Sequence, residues 1–179
     1  MIRNFHLDRS FSDRIYFALW KLISFFFFGS FLFPSFVLTL ILRLFGAKIG
    51  SSVVYRENFF VKDPRKLSIG DFCWFGRGVS IFNDCDCIFG SEVCVSQGST
   101  LITGNHDLYD GMFTFFCSPI VVGSFAWIGA NCLILPGVHV NNNCFITAGT
   151  VLKKTTVPSF SVVSSKHFVS ISPREDLLL

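Results

Sequence analysis

Charge is what this chain has least of. Only 15% of its 179 residues are Asp, Glu, Lys or Arg, and the formal net charge is +3. Its basic residues form no run and do not interleave with aromatics, so the electrostatic footprint of a nucleic-acid binder is missing. Histidine is also scarce. Of four in all, only His106 and His139 fall in the patterned part of the chain, too few for a three-histidine metal site. The cysteines lack a disulfide framework: seven is an odd number without paired spacing, which argues for free thiols in a reducing compartment. Cys85 and Cys87 form the one close pair, without further ligands at metal spacing. A cleaved signal peptide is not expected either, because the apolar run starts late, is too long, and has no small-residue cleavage site after it.

What is present is a period of six. From Val122 to Val151 the chain reads VGSFAW, IGANCL, ILPGVH, VNNNCF, ITAGTV. An aliphatic residue opens every block (Val122, Ile128, Ile134, Val140, Ile146), and the fifth place is small or β-branched (Ala126, Cys132, Val138, Cys144, Thr150). Gly or Asn clusters at places two to four. Short self-similar periods mark parallel β-solenoids. Six residues make one flat side and three sides close a triangular coil, with coils stacked about 4.8 Å apart. The first and fifth places then face the interior of a narrow prism, and Gly or Asn turns the corner, where a left-handed backbone is cheap for those residues. Cys73, Cys85, Cys132 and Cys144 all fall on the fifth place, where a thiol behaves as a small hydrophobe.

In chain order, residues 1–21 are mixed and polar, and Leu22 to Leu42 carries no charge at all. That length reaches the threshold for a membrane span, but Pro34 sits mid-run and would kink or break a helix. Three readings stay open: a true span, a helical pair lying in the membrane interface, or a dry cap over the open end of the solenoid, which such folds need. Basic residues flank the run on both sides, so orientation is not specified. The hexads begin at Ile49, pass a Pro-containing bulge (VKDPRKLS), resume at Ile69 and halt at Leu101. Residues 103–121 contain no hexad and read as a loop thrown out from a corner, a usual place for function. The frame returns at Val122 and lasts to about Val157, roughly five coils in all. The chain thus divides into a leader and hydrophobic helical segment (1–45), a solenoid domain (46–157) and a tail (158–179).

His106, in GNHD at the root of that loop, is the candidate catalytic residue, since a neutral imidazole can take a proton from a hydroxyl at physiological pH. By itself a loop histidine is as readily a surface histidine. The hexads, the GNHD, the segment PIVVGSFAWIGANCLILPGVHV, the AGTVLKK after it and the lead-in LRLFGAKIG together resemble the hexapeptide-repeat acyltransferase superfamily. Within it the likeness is to the colanic-acid-type O-acetyltransferases, relatives of the maltose, galactoside and nodulation enzymes, and it covers about Leu42 to Val157. The resemblance implies an all-β, left-handed parallel β-helix, a homotrimer, and acetyl-coenzyme A bound between adjacent prisms as co-substrate, with no metal.

It further implies that His106 deprotonates the acceptor for direct attack on the thioester, without an acyl-enzyme. A backbone N–H between Ala126 and Gly129 would meet the oxyanion. Trp127 matches a tryptophan lining the coenzyme groove, although as a residue it is equally a packed outward aromatic. Ala148, Gly149, Lys153 and Lys154 match the part that meets pantetheine and phosphates, the lysines being equally readable as solvated charges. Asn83, Asp84 and Asp107 are the candidate acceptor contacts. One departure is VVSSKHF, standing where the family has a small-Gly-x-Pro turn. Another is a leader with eleven Phe before Gly46, which favours membrane contact through residues 22–42. The implied activity is acetyl transfer to a sugar hydroxyl of a surface or exopolysaccharide or its lipid-linked precursor, made in the cytoplasm at the inner membrane face. The competing reading is a non-catalytic prism for oligomerisation or membrane attachment.

Overall fold

The computed structural model describes residues 10–29, 32–107, 113–164 and 170–173, the last stretch by backbone only. Three parallel sheets form the sides of the expected solenoid. The first face stacks strands Lys48–Ile49, Leu67–Ile69, Cys87–Phe89, Ile120–Val122, His139–Val140 and Thr156–Val157. The second stacks Val54–Tyr55, Trp74–Phe75, Cys94–Val95, Trp127–Ile128, Phe145–Ile146 and Ser161–Ser164, and the third runs from Phe60–Val61 to Val151–Leu152. Six strands on each of the first two faces make six coils, one more than the hexad count. The coil also outlasts the expected boundary at Val157: Ser161–Ser164 pairs with Phe145–Ile146, and Ser170–Pro173 folds back antiparallel to cover that edge.

The period works as steric logic demands. All ten first-place and fifth-place residues from Val122 to Thr150 are buried. Each fully buried aliphatic contributes about 1.5–3 kcal/mol relative to exposure. The corners differ from expectation, however. Only the fourth place takes the left-handed conformation, and three phenylalanines occupy it (Phe72, Phe125, Phe160) beside Gly and Asn. A left-handed non-glycine costs about 1–2 kcal/mol. It is offset here because each of these N–H groups donates across to the adjacent coil's corner: Phe72 to Ser51 O, Phe125 to Ser91 O, Phe160 to Asn142 O. Glycine at the second place serves close approach instead. A Cβ on Gly70 would lie 2.6 Å from the carbonyl carbon of Gly90.

Two helices precede the coil. Helix α1 (Phe11–Phe28) starts inside the polar leader, N-capped by Ser10, and ends at Gly29; α2 (Ser35–Leu44) starts after Pro34. Proline therefore breaks the apolar run as expected, and the two helices cover the first coil. Trp20, Phe28, Leu38 and Leu42 are buried against the first coil. The helices also satisfy that coil's open backbone edge, an obligation for any buried sheet rim. Trp20 Nε1 donates to Val61 O, Asn58 N to Phe28 O, and Tyr55 N to Ser35 Oγ. Among the described residues no helix is long and apolar enough to cross a membrane.

Candidate active site

Most of the polar chemistry gathers on one edge of the prism, where the third face turns into the first. Coil by coil this edge carries the Pro64–Lys66 turn, Asn83 to Asp86, the loop, and then Lys153 and Lys154. The loop is not irregular throughout. Gly104–His106 and Phe115–Cys117 pair as an antiparallel hairpin, with His106 opposite Phe115.

His106 is held closely. Its Nδ1 lies 2.9 Å from Phe113 O. A carbonyl oxygen only accepts, so the proton sits on Nδ1 and the lone pair is left on Nε2, the arrangement a general base needs. The ring stacks on Phe113 with centroids 4.5 Å apart and meets Phe115 edge-on at 5.4 Å. Sequence reasoning missed Phe113 because its contribution is a backbone carbonyl, which no side-chain pattern records. Asp107 N donates to Thr114 O, which zips the hairpin one step further.

The base of the hairpin is stapled. Cys85 and Cys117 form a disulfide, Ser118 N donates to Thr103 O, and Cys85 N donates to Thr103 Oγ1. This corrects the expectation of seven free thiols. The error lies in the frame: two residues are inserted after Asn83, so Cys87 takes the interior place and Cys85 turns toward the loop. Cys73, Cys132 and Cys144 do occupy interior places as expected. Burial raises the thiol of Cys87 far above its ordinary range.

Asn83 is a second correction. It is 0% exposed, its Nδ2 donates to Asp63 O and Lys66 O, and its Oδ1 accepts from Asp63 N. It plugs the Pro-containing bulge and is shut off from solvent. Asp84 does face the site. Its carboxylate pairs with Lys62, and Lys66 donates to its carbonyl. A Cβ on Gly104 would sit 2.9 Å from Asp84 Oδ2, so this carboxylate lies beside the strand that carries His106. A hollow of about 180 Å³ opens there, lined by Lys62, Arg65, Lys66, Asp63 and Asp84 among others. Under the Arg65 guanidinium, Tyr16 donates to Phe45 O. Burial, then the charge of Asp63, pushes the Tyr16 phenol up to about 12.

The expected coenzyme contacts divide into two groups. Lys153 and Lys154 are exposed on the same edge as His106, and Lys154 runs over Gly137 beside Ser118 at the loop's return. Trp127 lies instead on the second face, opposite that edge. It is 46% exposed, with its indole N–H donated to Ser96 Oγ and its ring against Phe145. Ala148 and Gly149 form an exposed turn between the second and third faces. The Ala126 side chain points into the core. A Cβ on Gly129 would lie 2.6 Å from Ala148 N. The N–H groups of Trp127 and Gly129 are donated to Cys144 O and Ile146 O, so neither can meet an oxyanion. One chain alone therefore does not join the two groups. Among the described residues no three His, Cys, Asp or Glu side chains converge in a way that could hold a metal ion.

Comparison with known proteins bears on this geometry. Residues 119–154 match the family described as bacterial transferase hexapeptide (six repeats). WcaF of Escherichia coli K12, whose name assigns it to colanic acid biosynthesis as an acetyltransferase, is 36% identical over 115 residues, covering 64% of this chain and 63% of that one. Over that stretch the chain is similar to the hexapeptide-repeat transferases. The galactoside O-acetyltransferase of the same organism is 31% identical over 115 residues, covering 58% of this chain and 55% of its own. The chain thus spans under two thirds of either relative's length. A Vibrio cholerae hexapeptide-repeat acetyltransferase, VCA0836, solved with acetyl-coenzyme A, superposes with a TM-score of 0.78 at 18% identity, over 90% of this chain and 88% of that one. At that identity the likeness is one of fold.

Proposed function

We propose that this protein is an acyl-coenzyme-A-dependent O-acyltransferase, with acetyl-coenzyme A as donor and a sugar hydroxyl of a surface or exopolysaccharide, or of its lipid-linked precursor, as acceptor. The observation that carries the reading is the imidazole of His106, whose Nδ1 contact with the Phe113 carbonyl puts the basic lone pair of the neutral ring on Nε2, on a hairpin stapled at its root. Kinship with WcaF and the galactoside enzyme supports the donor and the acceptor class.

The bound thioester supplies an electrophilic acyl carbon. His106 Nε2 takes the acceptor's hydroxyl proton as the oxygen attacks, the C–S bond breaks, and the proton passes to the departing sulfur. Asp84, ion-paired to Lys62 beside that strand, would accept a hydrogen bond from an acceptor hydroxyl, and Asp107 is a further candidate contact. Exposed Lys153 and Lys154 would hold the donor's phosphates, and the Ala148–Gly149 turn and Trp127 its pantetheine arm. Because Trp127 and His106 lie on opposite sides of one prism, the site is complete only where two copies meet, which favours the homotrimer. A cytoplasmic location rests on the donor alone, since a disulfide speaks against a reducing compartment.

Replacing His106 with Ala should cut coenzyme A release in the presence of acceptor by about 10²–10⁴-fold, with thermal stability unchanged because the side chain lies on an outer hairpin. Unaltered turnover would overturn the assignment of His106 as base, and absence of turnover in the unmodified protein would favour the non-catalytic scaffold.

A further inference from the structure

The helical cap has two faces, and only the inner one is used by the fold. On α1 the outer face exposes Phe11, Ile15, Leu19, Leu22 and Phe26, spaced four, four, three and four residues apart. On α2 it exposes Phe36, Leu40 and Leu44, every fourth residue. Phe25 is 77% exposed, Phe36 74% and Leu44 76%, values at which the rings and chains stand almost fully in solvent. Contiguous with them is an apolar groove of about 970 Å³ between α1 and the first coil, lined by Leu22, Phe25, Phe26, Phe28, Phe59 and Phe60 among others. Monomeric soluble proteins rarely leave so large an apolar patch without an occupant.

The charges on the cap helices are basic in all but one case. Arg14 and Lys21 on α1, Arg43 at the end of α2 and Lys48 after it are all exposed. Asp13 is the single acid among the described cap residues, and it is ion-paired to Arg65. A second copy docked face to face would bring this basic rim against itself, which association avoids. An apolar stripe with a cationic rim instead complements acyl chains beneath anionic headgroups. With neither helix able to span, the face must lie on a bilayer rather than cross it.

We propose that the outer face of the α1–α2 cap docks the protein on an anionic lipid bilayer, with the prism standing off the surface and the groove at Phe25 and Phe59 open to acyl chains. His106 then lies two coil spacings from the capped coil, about 10 Å. Resting on the reading of His106 as base, this geometry selects an acceptor sugar carried on a lipid in the same bilayer.

The test needs neither donor nor acceptor, so it stands or falls apart from the catalytic reading. Purified full-length protein is sedimented with vesicles of phosphatidylcholine alone, or of phosphatidylcholine and phosphatidylglycerol in equal parts. Binding should appear with the anionic vesicles and weaken with added salt. It should fall by about tenfold or more in a Phe36→Ser/Leu40→Ser variant and by about fivefold for each of Arg14→Gln and Lys21→Gln, while helix content and melting temperature hold. Folded protein that stays in the supernatant with anionic vesicles, a double variant that pellets like wild type, or cross-links joining α2 of two copies in lipid-free solution would each overturn the proposal.

Discussion

Asn83→Ala separates two roles for one residue. In the folded chain the Asn83 amide satisfies Asp63 N, Asp63 O and Lys66 O at 3.0, 2.7 and 3.1 Å, with no solvent in reach. Truncation leaves three buried backbone groups without that partner. A buried polar group so orphaned costs about 1 kcal/mol or more, and the loss here is about 3 kcal/mol. For a domain of this size, each kcal/mol moves the melting temperature by about 2–4 °C, so thermal unfolding followed by circular dichroism should shift down by about 6–12 °C. The acceptor KM of the folded fraction should not move. If the melting temperature holds and the KM rises instead, Asn83 contacts the acceptor and the structural role assigned to it is wrong.

The remaining expectations are simpler. Alkylation of denatured, unreduced protein should label five cysteines by mass spectrometry, and all seven only after reduction; seven labels without reduction would remove the Cys85–Cys117 staple. Tyr16 has a folded-state pKa raised from 10.0 to about 12, so its contribution is whole below pH 10 and is lost as pH climbs from there toward 12. The loss is about 1–2 kcal/mol once solvent screening at this partly exposed site is allowed for. Tyr16→Phe should therefore be less stable than wild type at neutral pH, and the gap should close under alkaline conditions in paired melting curves; a gap independent of pH would contradict the assignment.

The hexads were legible because the interior of a narrow prism admits one aliphatic and one small residue per side, a constraint satisfied within six consecutive positions. Val122 to Thr150 met it without exception, and Pro34 broke the apolar run where a missing N–H must. Cys85 was assigned an interior place because the period breaks beside it, and two inserted residues hand that place to Cys87.

The sequence by itself determined the coil, the helix break and the histidine at the root of the loop, since each depends on neighbours a few residues away. Tertiary structure alone decided what meets across coils and across the loop. Cys85 meets Cys117 over 32 residues, the Phe113 carbonyl selects the His106 tautomer, and the first coil claims one side of the helical cap and leaves the other bare. Those contacts join positions whose separation varies with every insertion, and a backbone carbonyl or an unclaimed helix face has no residue code to announce it.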